Sequence, residues 1–166
     1  MASQVICTGT AWAESRASPE PFSDPPAPGT NLQFGSPGLD ASFLADVYVI
    51  LSGIKYDDII SAWKAEQPID IGHRRIAGIQ LAPYHVAHLY ECSAELRSRI
   101  ASLSPERIED IARNWHVMLR HPVESSPSRI ERRLEIIQNL AALARVADRR
   151  GSRLLLRVEY KDEHEL

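Results

Sequence analysis

Two histidines and a cysteine stand close together in the middle of the chain, at His85, His88 and Cys92. Imidazole and thiolate groups are ligands of zinc, and on a helix this spacing puts all three side chains on one face. A thiol near a histidine is also a candidate nucleophile when it is exposed and its pKa is lowered. However, one helix rarely completes a site, and no second cysteine or histidine pair matches this one. We therefore expect no metal, no cofactor and no catalytic residue, and an inert, half-buried thiol at Cys92.

Charged side chains form the second group of candidates. Residues 97–157 carry 13 arginines against 7 acidic side chains, whereas residues 1–96 carry 5 basic and 11 acidic ones. Guanidinium groups bind carboxylates and phosphates through paired hydrogen bonds, and separated charges suit a complementary partner. The alternative is that these are ordinary solvated helix faces. The candidate binding residues are Arg129, Arg132, Arg133, Arg149, Arg150, Asp57 and Asp58.

Composition argues against several classes of function. The net charge is −3 and aromatic residues make up 7% of the chain, so nucleic acid is an unexpected partner. No run approaches the roughly 20 apolar residues that a membrane-spanning helix needs. Phosphate-binding glycine loops, the nucleophile-elbow motif and zinc-finger spacings are all missing from the sequence. These observations favour a binding protein over an enzyme.

Apolar periodicity predicts the elements that would position these residues. A strand over 153–160 alternates cleanly and needs a partner, for which 76–81 is the candidate. We thus expect a mostly α (α+β) fold, with four to five helices and a small β element that includes the C-terminal strand. The predicted helices begin near Asp40, Asp57, Pro83, Ser104 and Ser128, and the first and last end at Gly53 and Gly151.

Proline content suggests the domain boundaries. Six prolines fall between residues 19 and 37, so residues 1–38 are expected to be a disordered or extended segment. Residues 39–161 are expected to form a single helical domain, and residues 162–166 an acidic tail. Two cysteines without an obvious pairing favour a reducing, cytoplasmic compartment. A homo-oligomer is possible.

Several short packing and capping patterns lie at 51–53, 81–83, 103–108, 112–115, 140–151 and 154–156. Together they resemble small, uncharacterised bacterial helical proteins of the toxin-immunity type, although they define no family. The resemblance spans roughly residues 40–160 and carries no site residue. It implies a protein–protein interaction module, in the most concrete form an immunity-type inhibitor that neutralises a cognate toxin by binding. The alternatives are a small enzyme or metal-binding protein using His85, His88 and Cys92, and a nucleic-acid-associated factor.

Overall fold

The computed structural model describes residues 5–14, 33–37, 39–67, 70–83, 85–119 and 126–162. Over these residues the fold is α+β, with five helices beside a five-stranded antiparallel sheet. The expectation of a mostly helical domain with a small β element was wrong. The elements in chain order are β1 (Val5–Glu14), β2 (Gln33–Pro37), α1 (Ala41–Ser52), α2 (Tyr56–Lys64), β3 (His73–Ala82), β4 (His85–Cys92), α3 (Ala94–Ala101), α4 (Pro105–Met118), α5 (Pro127–Arg150) and β5 (Arg153–Asp162).

The C-terminal strand β5 is the centre of the sheet, whose strand order is β2-β1-β5-β4-β3. Along β1 it pairs from Val5↔Asp162 to Glu14↔Arg153, and on its other side it pairs with β4. The expected direct partner, the segment 76–81, belongs to β3 and is separated from β5 by β4. The three apolar residues Leu154, Leu156 and Val158 are buried on the face that meets the helices.

The largest error concerns the helix that was expected to begin at Pro83, because His85–Cys92 form the strand β4 instead. The apolar stripe from Val86 to Ile100 crosses the junction between this strand and α3. Ser93, expected within that stripe, is the N-cap of α3, and its Oγ accepts a hydrogen bond from the amide of Leu96 at 3.1 Å. Short apolar runs are compatible with the period of a helix and with that of a strand. Pairing with a strand on each side makes this segment a strand.

The helices pack on one side of the sheet. Helix α5 contacts β1 and β5, and both α3 and α4 pack on α5. Helix α5 buries three small side chains, which allow its neighbours to pack closely against it: Ala141, Ala144 and Ala147. None of the helices in the described ranges combines the length and the apolar character that crossing a bilayer would demand.

Helix ends were predicted well where a side chain or a glycine satisfies the terminal backbone groups. Asp40 caps α1 by accepting from the amide of Phe43 at 2.9 Å, and Ser104 caps α4 in the same manner. Gly53 and Gly151 end α1 and α5 in the left-handed conformation. The starts of α2 and α5 lie slightly earlier than expected, at N-caps Lys55 and Ser126 in place of Asp57 and Ser128.

The N-terminal segment contributes β1 and β2 to the sheet, so the expected boundary at residue 39 does not separate these strands from the domain. Five of its prolines lie within 15–32, outside the described residues. At the other end, Asp162 closes β5, and the rest of the expected acidic tail, 163–166, also lies outside the described residues.

Candidate functional site

A cleft of about 290 Å³ opens where the start of α1, the end of α4 and the start of α5 meet. We call it the arginine cleft. It contains three of the arginines that the sequence singled out, and α1 supplies carboxylates on the opposite side. Its lining consists of Asp40, Ser42, Phe43, Asp46, Trp115, Arg129, Arg132, Arg133 and Ile136.

The floor of the cleft is aromatic. The rings of Phe43 and Trp115 stack, with centroids 4.9 Å apart and an interplanar angle of 25°. Both are almost fully buried, at 9% and 6% exposure. The guanidinium carbon of Arg133 lies 5.6 Å from the centroid of the Trp115 ring, within the range of a cation–π interaction. The rings therefore form a rigid, packed floor with a cation at its edge.

The arginines crowd the positive end of α5. Arg129 lies in the first turn and Arg132 and Arg133 in the second, and the first turn contains no acidic residue. Burial, and then the charge of Arg129, lower the pKa of Arg133, while Asp46 acts in the opposite direction. A cation in the first turn is also opposed by the helix dipole, which costs typically 0.3–1 kcal/mol. Arrangements that cost stability locally are expected at functional sites.

Two other arginines near α5 hold neighbouring elements together through hydrogen bonds to backbone carbonyl groups. Arg145 donates to the carbonyl oxygens of Ala101 and Leu103, which fixes the end of α3 on α5. Arg97 donates to the carbonyl of Ser152 at 2.6 Å. Among the described residues, by contrast, Arg129 has an exposed side chain and no ion-pair partner. The arginine excess thus includes residues that tie elements together and exposed residues such as Arg129.

The remaining charged candidates do not join this site. Arg149 lies 20 residues beyond Arg129 on the same helix, which separates them by about 30 Å, and Arg150 lies beside it in the last turn. Asp57 and Asp58 are exposed in the first turn of α2. Asp57 lines a different cavity of about 520 Å³, which shares no residue with the arginine cleft. The predicted charged surface is therefore several separate patches.

His85 and His88 do not converge as the helical interpretation required, because neighbours three apart on a strand point to opposite faces. His85 Nε2 lies 2.8 Å from a carboxylate oxygen of Glu159 on the face away from the helices. His88 Nδ1 lies 3.3 Å from the hydroxyl of Tyr90 on the other face. No group of three potential metal-ligating side chains occurs within the part of the chain that the structure describes.

Cys92 is buried, and burial raises the pKa of its thiol to about 12. At neutral pH the thiol is therefore protonated, which removes the nucleophile. The histidine paired with it in register is His73, at the edge of a cavity of about 300 Å³ that Cys92 also lines. Burial lowers the pKa of His73, whose Nδ1 donates to the carbonyl of Ile71 at 3.2 Å. The sequence did not indicate this pairing, because it depends on the β3–β4 register.

The aromatic floor was the part of the arginine cleft that sequence analysis missed. Phe43 and Trp115 each lie on an apolar stripe, and a stripe predicts burial without showing which partner a ring meets. Asp46 carried no signal beyond its charge. No protein-family model, no curated protein and no solved structure matches this chain.

Proposed function

We propose that this protein is a binding module that holds an acidic segment of a partner protein in the arginine cleft. The observation that carries the proposal is the combination of an aromatic floor with arginines gathered at the positive end of α5. A carboxylate of the partner would pair with Arg129 or Arg132 beside the packed rings of Phe43 and Trp115. Aromatic and arginine residues are the types that most often dominate binding energy at interfaces.

The polar groups of the cleft favour binding over chemistry. At about 290 Å³ the arginine cleft lies at the lower end of the roughly 300–1,000 Å³ of small-molecule sites, and it also has room for one or two side chains of a partner protein. Among the described lining residues the hydroxyl is that of Ser42, which donates to the carboxylate of Asp40 at 2.6 Å, and that carboxylate also caps α1. Both groups already have a structural role, which favours binding over catalysis.

In its most concrete form, the proposal is a bacterial immunity-type inhibitor that neutralises a cognate toxin by covering an acidic surface. Charge complementarity would speed the encounter of the two proteins and set specificity. Nucleic acid is a poorer fit, because the chain has a net charge of −3 and only 7% aromatic residues. The alternative of a metal site or a small enzyme required His85 and His88 to converge with Cys92. His85 and His88 lie on opposite faces of β4, so the structure gives this alternative no geometric support. The expected reducing, cytoplasmic compartment remains a prediction, as does the homo-oligomeric state.

Affinity capture from the native cell tests the proposal when it is performed with two matched variants. Arg129→Glu and Arg150→Glu make the same charge change at exposed positions near opposite ends of α5. We expect one protein to co-purify with the wild type and with Arg150→Glu, and to be lost with Arg129→Glu. Retention should weaken as salt is raised, because exposed charge pairs are screened.

Mapping of the complex by amide exchange completes the test. Protection should appear at the start of α1, the end of α4 and the start of α5. The proposal fails if no protein co-purifies, if capture is the same with Arg129→Glu, or if protection maps elsewhere. Salt-sensitive retention of labelled DNA or RNA that is lost with Arg129→Glu would favour the nucleic-acid alternative instead.

A further inference from the structure

Strand β3 ends the sheet, and its outer edge has no partner among the described strands. An open strand edge presents unpaired amide and carbonyl groups that another extended chain can use. Natural edges are often blocked by proline, lysine or a β-bulge. Neither proline nor lysine occurs in His73–Ala82, and the two register shifts of β3, at Ile76 and Leu81, leave Ala77–Gln80 in regular pairing. Two large apolar side chains on this strand are exposed, Ile79 at 41% and Leu81 at 43%.

The edge is also positively charged. Arg74 and Arg75 are exposed, and the strand contains no carboxylate. Arg74 pairs with Glu91 at 3.0 Å, but Arg75 has no ion-pair partner among the described residues. Burial, and next the charge of Arg75, lower the pKa of His88.

An open groove of about 530 Å³ lies over β3 and reaches Val86 and His88 of β4. Pairing in register places Arg75 opposite Tyr90 and, after a register shift at Ile76, Gly78 opposite His88. Arg75 and His88 therefore share the face that bears the helices. Ile79 pairs with Ala87 and belongs to the other face. A chain added along β3 would meet Arg75 and His88 on one face and Ile79 on the other.

We propose that β3 accepts an extended segment of a partner protein as a further strand, with acidic residues towards Arg75 and His88 and apolar residues towards Ile79. Backbone hydrogen bonds would give affinity and the alternating side chains specificity, as in other cases of strand addition. A second copy of this chain is the poorer occupant, because its β3 would bring two more arginines and no carboxylate to the edge. The proposal is independent of the arginine cleft.

Amide NMR on the full chain tests this surface, with a capped octapeptide of alternating glutamate and valine as the probe. We expect shift changes and slower amide exchange along His73–Ala82, and a rise of the pKa of the His88 imidazole on binding, since an anion stabilises its charged form. A peptide with lysine in place of glutamate should not bind. A peptide with proline in place of every valine should not bind either, because it lacks the donors for strand pairing.

Matched variants locate the binding. Arg75→Glu should weaken the glutamate peptide by about fivefold to tenfold, as expected for reversing one exposed charge contact, and Arg75→Gln by less. Arg150→Glu and Arg129→Glu should stay within about twofold of the wild type, which separates this surface from the cleft. The proposal is overturned if the shifts map away from β3, if the lysine peptide binds equally well, or if β3 becomes protected with rising protein concentration without peptide.

Discussion

Gly72 offers a quantitative test of how tightly the sheet and helices fit together. It precedes β3 with φ +77°, a conformation that side chains rarely adopt. A Cβ atom at this position would lie 2.5 Å from Cδ2 of Tyr48 and 2.9 Å from Cδ2 of Leu96. Tyr48 and Leu96 are buried, at 5% and 0% exposure, so neither side chain has room to retreat.

The cost of Gly72→Ala follows from two parts. The left-handed conformation costs an alanine about 1–2 kcal/mol, and forcing a methyl group into packed surroundings costs about 1–3 kcal/mol. We expect the free energy of unfolding to fall by about 3 kcal/mol. Gly53→Ala is the matched control, because Gly53 has φ +74° and nothing within 4 Å of an added Cβ. Its cost should be about 1 kcal/mol.

Urea unfolding followed by circular dichroism measures both variants under the same conditions. Because roughly 1 kcal/mol shifts the melting temperature of a chain of this size by about 2–4 °C, Gly72→Ala should melt about 6–12 °C lower than the wild type. Equal losses in the two glycine variants would refute the steric part of the argument. A loss at Gly53 larger than at Gly72 would refute the assigned packing of Tyr48 and Leu96.

Three further predictions concern charge and protonation. Burial lowers the pKa of His73, so as the pH falls the unfolded chain binds the proton before the folded chain does. The free energy of unfolding should therefore decrease below about pH 6.5, and His73→Gln should flatten its pH dependence. An unchanged pH dependence in this variant would contradict the argument. In a Cys7→Ser background, Cys92 should react with a disulfide reagent at pH 8 about a thousandfold more slowly than a free thiol, because its pKa is about 12. A reaction rate within tenfold of that of a free thiol would contradict the burial of Cys92. Arg129→Glu should raise the free energy of unfolding by about 0.3–1 kcal/mol, and a loss of stability in urea titrations would show a structural role for this arginine.

The stability gain expected of Arg129→Glu and the loss of binding expected of the same change point in opposite directions. Such opposition separates a recognition residue from a structural one, since a structural residue would lose both. Arg145 provides the contrast, because its hydrogen bonds to Ala101 and Leu103 tie two helices together. Replacing it should reduce stability.

Local chemistry was enough to predict the starts of α1 and α4, the ends of α1 and α5, and the last strand. Asp40 and Ser104 satisfy amides within three residues of themselves, and Gly53 and Gly151 adopt conformations that glycine favours. The alternation of Leu154, Leu156 and Val158 indicates a half-buried strand without reference to any other part of the chain. Each of these signals depends on neighbours only a few residues away.

Only the tertiary structure decided the identity of β4 and the membership of β1 in the sheet. Residues 85–92 carry apolar spacing compatible with a helix, and they become a strand because β3 and β5 lie on both sides to receive their hydrogen bonds. The residues of Val5–Glu14 pair with residues of β5 that lie 139 to 157 positions later in the chain, so no local pattern could report the pairing. The same holds for the arginine cleft, in which residues from α1, α4 and α5 meet. The periodicity of the sequence predicts that a side chain is buried, whereas the tertiary structure determines which residues it is buried against.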